Sequence, residues 1–469
     1  MPEHNSPGIY IEEISSQVPS IKSVATAIPV FIGYTQKAHL KETGDLLYIP
    51  FRIASVAEYE YYFGMADFEK GIEITFENDD NDVIAVGTVN QKTMSHYLTY
   101  YWLQLFFLNG GSACYIVSTG NYMDDGIIKL SDLNAGLESA KEVDEITLLL
   151  FPDSVNLESY TEYYSIYEAA MKQCAELQDR FTILTVSHTS NDISMWKNDV
   201  ALLRSSLDLD IKYLQYAAAY FPRLYTSIQF NTSDELVKIV SNGAGDLPAT
   251  LAELKSVNKG YYDLAIKSIQ QIEMRLPASP AVAGVYAQTD STRGVWKAPA
   301  NINIDAAIRP EYVLTQQEQE DLNGEQSLGK YINVIRTFTG KGPAIIWGAR
   351  TLAGNDNEWR YISVRRYFNM VGESCREAAE AFIFEPNDAN TWTRLKVLIE
   401  NYLVQQWRAG ALMGVKPEEA FFVQAGLGAT MTQTDIDNGN LIVEIGMAVI
   451  RPAEFIVLRV SVKMMEGHD

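Results

Sequence analysis

The feature that most constrains the fold is an alternation of strand-like and helix-like segments from residue 30 to about residue 300. "VFIGYT" at 30–35 predicts a buried strand, "SHYLTYYWLQLFFLNGG" at 95–111 predicts a helix closed by glycines, and "ACYIVST" predicts the next strand. Farther on, the helical "SYTEYYSIYEAAMKQCAEL" separates two apolar runs, "EITLLLFPD" and "RFTILTVS". This alternation predicts an α/β fold whose mostly parallel or mixed sheet is covered by helices.

The amino-acid composition changes near residue 300, where a polar, acidic stretch rich in Asn and Gln begins. We place a domain boundary at about residue 325. Short strands follow, and then a helix from Asn387 to Ala409 that Gly410 should end. Apolar side chains recur at helical spacing along it: Trp392, Leu395, Ile399, Tyr402, Leu403 and Trp407. We therefore separate a final segment, 326–469, from the α/β region that precedes it.

The last predicted strand lies in "PAEFIVLRVSVKM", Pro452–Met464, and has a period of two. Its even positions are apolar, Ile456, Leu458, Val460, Val462 and Met464, and no later chain is present to pair with it. A shorter strand-like run, Ile9 to Ile14, opens the chain within an extended arm. An uncovered edge of this kind is an aggregation hazard in a monomer, so a partner strand is expected.

The net charge of -23 is unevenly distributed, because residues 331–469 hold 14 Lys and Arg against 16 Asp and Glu. The first 330 residues therefore carry -21, which repels phosphate backbones and anionic membranes. No apolar run reaches the roughly 18 to 20 residues of a membrane span, and the start lacks the features of a signal peptide. We expect synthesis in the cytoplasm, no nucleic-acid partner and no direct membrane insertion.

Motifs that could carry chemistry are incomplete. "GEQSLGKY", 324–331, resembles a phosphate-binding loop but ends in Tyr331 where Ser or Thr would hold magnesium. The five histidines do not fall at metal spacing, and His188 is interpreted as a loop residue. Three cysteines, Cys114, Cys174 and Cys375, lie far apart and are interpreted as buried thiols. We expect no catalysis, no cofactor and no metal.

The final third resembles contractile tail sheath proteins of bacteriophages and related injection systems. The resemblance rests on "GPAIIWGARTL", "EWRYISVRRYF", "FEPNDANTWTRLKVLIENYLVQQWRAGALMG" and "AFFVQAGLGATMTQTDIDNGNLIVEIGMAVIRPAEFIVLRVS". "PGIYIEEI", "TAIPVFIGYT", "FFLNGGSACYIV" and "SPAVAGVYAQTDSTRGVWKAPAN" extend it toward the other end of the chain, whereas residues 120 to 270 contribute no recognised motif.

The resemblance implies a mixed α/β subunit with two domains. Residues 1–29 would be an arm that reaches a neighbouring subunit, and 30–325 would be an outer domain. The inner domain would combine that arm with the C-terminal third, 326–469, which ends in a linker strand at 453–464. Such subunits form hexameric rings in a helical sheath around an inner tube protein, with baseplate and terminal cap proteins at the ends. The sheath contracts without nucleotide hydrolysis, in a released or membrane-anchored particle or in a virion tail.

Particular residues follow from this implication. Neighbouring subunits would be joined by strand contacts at Ile9, Tyr10, Ile11, Ile14, Phe455, Ile456, Leu458, Val460 and Val462. The helix from Asn387 to Ala409 would face the inner tube, with Arg394, Lys396 and Arg408 as contacts. An ordinary domain helix with solvated charges is the alternative for that helix.

Two versions of the function stay open, the sheath of an extracellular phage tail-like injection system, which we favour, and the sheath of a true bacteriophage tail. Outside this class, the alternative is a monomeric α/β enzyme or a sugar-binding protein, since the 27 tyrosines could also stack on sugars.

Overall fold

A computed structural model describes residues 20–79, 82–188, 193–241, 247–324 and 330–454. Packing divides this part of the chain into a large unit, Val24–Glu373 with residues 451–454, and a small unit, Ser374–Ile450 with residues 20–23. The predicted segments 1–29, 30–325 and 326–469 do not coincide with these units, and they stay a prediction.

The described residues form sixteen strands: β1 Pro29–Thr35, β2 Phe51–Ile53, β3 Ile72–Asp79, β4 Asp82–Val89, β5 Cys114–Asn121, β6 Leu148–Leu150, β7 Phe181–Thr185, β8 Ala217–Phe221, β9 Leu224–Thr226, β10 Lys238–Ser241, β11 Met274–Leu276, β12 Ala307–Pro310, β13 Ile332–Phe338, β14 Gly342–Trp347, β15 Phe421–Ala425 and β16 Val443–Met447.

They also form fourteen α-helices: α1 Val56–Phe63, α2 Thr99–Leu108, α3 Leu130–Ala140, α4 Tyr160–Leu177, α5 Trp196–Ser206, α6 Ile211–Leu214, α7 Leu251–Val257, α8 Lys259–Gln270, α9 Ser279–Arg293, α10 Gln316–Gly324, α11 Ile362–Ala379, α12 Ala389–Arg408, α13 Pro417–Ala420 and α14 Gln433–Asp437. The predicted mixed α/β class is confirmed.

The large unit is built on an eight-stranded sheet with the order β14-β13-β8-β7-β6-β1-β5-β2. The six inner strands run parallel, and β14 and β2 pair antiparallel at the two edges. All seven residues of β1 are buried, as expected for a strand covered on both faces. β13 and β14 belong to this sheet although they follow residue 325 in sequence.

Side chains of the inner strands alternate between two apolar cores. On β1, Phe31 joins the core formed with α2 and α9, whereas Val30 and Ile32 join the core formed with α3, α4 and α5. Each apolar side chain buried in this way contributes about 1.5 to 3 kcal/mol. The large unit is therefore a three-layer sandwich, as the alternation of segments predicts.

Two further sheets belong to the large unit. One has the order β10-β3-β4 and packs its apolar face on α7 and α8, and the other has the order β11-β9-β12.

The small unit contains the antiparallel pair β15-β16 and the long helix α12. Asp388 accepts hydrogen bonds from the backbone N–H of Asn390 and Thr391 and so caps α12. The helix predicted over 387–409 is thus confirmed.

Candidate functional surfaces

In an open α/β sheet, ligands usually bind outside the carboxyl ends of the strands where the strand order reverses, which here is the point between β1 and β6. Asp153, just after β6, fills this position and is fully buried. It accepts hydrogen bonds from the backbone N–H of Tyr34 at 2.7 Å, from the N–H of Leu98 at 2.6 Å and from the hydroxyl of Thr99 at 3.2 Å. The protein's own carboxylate thus takes the place of an anionic ligand.

The surroundings of Asp153 leave little room for a ligand. A Cβ atom on Gly33 would lie 2.5 Å from the Thr99 hydroxyl and 2.6 Å from Asp153 Oδ2, so glycine is required for this close approach. The N terminus of α2 begins at Thr99, where its dipole favours a negative charge. Burial nevertheless outweighs these hydrogen bonds and raises the pKa of Asp153 to about 6.

A second polar cluster surrounds His188, which sequence reasoning placed in a loop. The side chain is only 3% exposed, with Nδ1 3.2 Å from Asp199 Oδ2 and Nε2 3.8 Å from Glu311 Oε2. Arg223 and Arg275 donate to Glu311 at 2.9 and 2.8 Å. The sequence gives no local signal for this cluster, because its members come from distant segments.

Electrostatics in this cluster favour a neutral histidine. Burial lowers the pKa of His188, and this effect outweighs the opposing influence of the neighbouring Asp199 carboxylate. Burial alone would raise the pKa of Glu311, but Arg223 and Arg275 overcome it and the pKa is lowered. A carboxylate held by two arginines is a structural ion pair, and we assign it no role in proton transfer.

The remaining chemical candidates lie in places that suit packing. All three cysteines are free and buried, which confirms their interpretation as buried thiols. Lys330, from the motif that resembles a phosphate-binding loop, donates to the carbonyl of Arg204, whereas residues 325–329 lie outside the described residues. Within the described ranges, no three His, Cys, Asp or Glu side chains are grouped to hold a metal. None of the described helices is long and apolar enough to cross a membrane.

The sheet of the small unit is open. β15 and β16 pair from Phe421 with Met447 to Ala425 with Val443, and no third strand joins them among the described residues. Val443, Ile445 and Met447 are only half-buried although they lie on the same face as buried Val423. Both outer edges therefore have backbone groups available to a further strand, and one face has apolar side chains that lack full cover.

The other face of the same pair carries Phe422, which is 47% exposed. Its ring lies across Gly446 on the opposite strand, so closely that a Cβ there would meet the ring at 2.1 Å. The sequence shows the strands but not this contact, because the pairing register cannot be read from "FFVQA" and "VEIGM" alone.

The three predicted tube contacts lie on α12. Arg394 Nη1 forms an exposed ion pair with Glu385 Oε2 at 3.0 Å. Lys396 Nζ lies 3.7 Å from Oε1 of Glu400, one helical turn later. Arg408 is exposed in the last turn. Arg394 and Arg408 share one exposed face of α12, about 21 Å apart at the helical rise. Their contact with a tube stays a prediction.

The predicted strand contacts cannot be located in the same way. The N-terminal set, Ile9, Tyr10, Ile11 and Ile14, and the C-terminal set, Phe455, Ile456, Leu458, Val460 and Val462, lie outside the described residues.

Comparison with known proteins places these surfaces in a family context. Residues 354–463 match the phage tail sheath C-terminal domain. The tail sheath protein of Enterobacteria phage T4 is 25% identical over 160 residues, which are 34% of this chain. The match spans only 23% of that relative's length.

Solved structures extend the similarity along the chain. The sheath of the extracellular contractile injection system PVC, in its contracted state, is 28% identical, with a TM-score of 0.64 and coverage of 98% of both chains. A chain of the anti-feeding prophage baseplate in its contracted state is 27% identical, with a TM-score of 0.69 and coverage of 97% of both chains.

These findings confirm the resemblance predicted from the sequence: the chain has the fold and the C-terminal domain of a contractile tail sheath protein. Over nearly its full length the chain is similar to the sheath of an injection system, and its residues 354–463 match the phage tail sheath C-terminal domain.

Proposed function

We propose that the chain is the structural subunit of a contractile sheath, which stacks as hexameric rings around an inner tube and shortens to drive that tube through a target envelope. The observation that carries the proposal is the similarity to the PVC sheath over 98% of both chains. Baseplate and terminal cap proteins would meet the ends of the assembly. The similarity to a chain of the anti-feeding prophage baseplate supports the first of these contacts.

Neighbouring subunits would be joined by strand addition to the open pair β15-β16. The predicted terminal strands supply alternating apolar side chains, and the half-buried Val443, Ile445 and Met447 offer an apolar face for them. Main-chain hydrogen bonds hold such a strand at about 1 kcal/mol each net, whatever the side chains. A link of this kind keeps its pairing while the bodies it joins change position.

Contraction of the sheath would consume no nucleotide. In this proposal the free energy comes from subunit contacts that differ between the extended and contracted sheath. The filled strand-order reversal point supports it, because Asp153 and Thr99 occupy the place where an α/β sheet would hold a phosphate. On α12, Arg394 and Arg408 would face a complementary, acidic surface of the tube.

We favour an extracellular injection particle over a phage tail. The subunit would be made in the bacterial cytoplasm and would leave it as part of a particle that is released or membrane-anchored. A bacteriophage tail sheath is the second candidate, supported by the similarity of 160 residues to the tail sheath protein of phage T4. Capsid, portal and terminase genes beside this one would favour the phage and overturn the first version.

The assembly claim is tested by deleting residues 455–469, which spares Glu454, and co-expressing the shortened chain with its tube protein. We expect wild-type chain to form tubular particles in electron micrographs and the deletion to form none, while circular dichroism shows a folded large unit. Removal of 466–469 alone is the matched control, because it leaves the predicted strand complete. A wild-type chain that stays monomeric at high concentration, even when it is co-expressed with the tube protein, would contradict the proposal.

A further inference from the structure

An arginine holds the start of the predicted C-terminal linker strand, which we call its root. The root is Glu454, in the part of the chain that packs with the large unit. Arg350 Nε donates to both of its carboxylate oxygens, at 2.9 and 3.1 Å, and Arg350 Nη2 donates as well. Tyr361 adds a hydroxyl donor at 3.3 Å. The side chains of Arg350 and Glu454 are 16% and 20% exposed, so this pair is largely covered.

Arg350 is itself fixed in place. Its guanidinium lies 4.9 Å from the ring centre of Tyr331, and its backbone N–H donates to Asn333 Oδ1 at 2.8 Å. Asn333 belongs to β13 and donates to the carbonyl of Ala219 in β8. Through these bonds Glu454 is connected to the parallel part of the eight-stranded sheet.

The root of the N-terminal arm is held in a similar way. Arg366 Nη2 donates to the carbonyl oxygen of Thr26 at 2.8 Å and to Asp290 at 2.5 Å, and Nη1 donates to the same carboxylate at 3.1 Å. The hydroxyl of Thr26 donates to Asp290 at 2.6 Å. Arg366 also lies 4.7 Å from the ring centre of Tyr286. With side-chain exposures of 4% and 7%, Arg366 and Asp290 form a buried pair.

Both arginines belong to one short stretch of the large unit. Arg350 and Tyr361 form a β-bridge, Thr351 N–H donates to the Arg360 carbonyl at 2.9 Å, and α11 begins at Ile362. A charge-assisted, multiply bonded pair resists displacement better than a single exposed ion pair. Because such pairs hold the roots of both terminal segments, they can transfer a pulling force on either segment to the large unit.

We propose that Arg350 and Arg366 are positioning residues that fasten the roots of the C-terminal and N-terminal linker segments to the large unit. Arg350 fastens its linker to the eight-stranded sheet, and Arg366 fastens the other to helices α9 and α11. Load on either linker then enters the large unit through Glu454 or through Thr26 and Asp290. The load-transfer part rests on the proposed sheath function, whereas the fastening itself is a property of the single chain.

The fastening is tested on the unassembled, full-length chain with a spin label on Ala453→Cys or on Ala25→Cys. Both positions are exposed and each adjoins a held residue, and the three native cysteines are buried. Glu454→Gln should at least double the rotational mobility of the label at 453, and Asp290→Asn should do the same at 25. Exchanging the charges, Arg350→Glu with Glu454→Arg, should restore part of the immobilisation. Unchanged mobility in both single variants overturns the inference.

Load transfer is tested in the same variants by co-expression with the tube protein and counting intact sheaths after contraction is triggered. We expect at least a tenfold loss of intact sheaths for Glu454→Gln and for Asp290→Asn. Glu273→Gln is the matched control, because it removes an arginine-carboxylate bond of 2.7 Å, to Arg309, away from both roots. Wild-type yield in both test variants overturns load transfer. Failure of the wild-type chain to form any sheath counts against the proposed function instead, and the label mobility then decides the fastening.

Discussion

The eight-stranded sheet and the two-stranded sheet of this chain differ in how far the chain completes them. In the large sheet, helices cover both faces of the inner strands, and the strand-order reversal point is filled by Asp153. Polar side chains within it find partners, as Asn333 does with the carbonyls of Ala219 and Arg350. In the small sheet, both outer edges are unpaired among the described residues, and the side chains of β16 are at most half-buried.

The difference teaches where a subunit of this kind can be rigid and where it can be joined. A completed sheet has no low-cost alternative packing, so it keeps its shape under load. An incomplete sheet gains backbone hydrogen bonds when a strand from elsewhere is added. Each of the following predictions changes one side of this comparison.

The largest effect is expected from Gly33→Ala in the large sheet. The new Cβ would lie 2.5 Å from Thr99 Oγ1 and 2.6 Å from Asp153 Oδ2, which is well inside van der Waals contact. Neither group can move without losing its own hydrogen-bond partners. We expect the free energy of unfolding to fall by about 4 kcal/mol, at the upper end for overpacking, because the hydrogen bonds of Asp153 are also disturbed.

Chemical denaturation of the purified variant measures this loss. Gly372→Ala is the matched control, because Gly372 lies within α11 and a Cβ there meets nothing within 4 Å. It should stabilise by about 0.5 to 1 kcal/mol. Equal stability of the two variants would mean that the strand-order reversal point is not closely packed.

The second effect is a pH dependence that belongs to the large unit. Glu69 is buried and accepts hydrogen bonds from the N–H of Gly71 at 2.7 Å and of Ser95 at 3.2 Å. Burial outweighs these bonds and raises the pKa of Glu69 from its ordinary value of 4.5 to about 7. The folded state therefore holds this proton more tightly than the unfolded state does. Its contribution to stability is full below pH 4.5 and is lost as the pH rises through 7.

Glu69→Gln removes this titration while preserving the shape of the side chain. The stability of the variant minus that of the wild type should rise by about 3 kcal/mol between pH 4.5 and 8, following the linkage relation. Glu142→Gln, at an exposed position, is the control for the loss of one carboxylate. A difference that stays constant with pH for Glu69→Gln would show that this carboxyl ionises as freely as one in solvent.

Much of the large sheet could be predicted because its information is local. Apolar runs such as "VFIGYT" and "RFTILTVS" predict buried strands that the structure confirms as β1 and β7. The long helix α12 was equally predictable, since its apolar spacing, its cap at Asp388 and its stop at Gly410 lie within one window of sequence.

What the sequence could not supply depends on contacts between distant segments. The burial of His188 depends on Asp199 and Glu311. The arginine contacts at Thr26 and Glu454 join residues that are 340 and 104 positions apart. β13 and β14 join the large sheet although they follow the change in composition near residue 325. Composition reports what a segment exposes, whereas pairing with β8 is decided by register.

The smallest effect is expected from Gly446→Ala, which changes the incomplete sheet. The Cβ would meet the ring of Phe422, but that ring is half-exposed and can rotate away from the strand, unlike the groups around Gly33. We expect a loss of about 1 to 2 kcal/mol, confined to the small unit. Hydrogen exchange should accelerate for the amides of β15 and β16 and stay unchanged for those of β1. Faster exchange in β1 would contradict the comparison, because a strained edge of the small sheet would then destabilise the completed sheet as well.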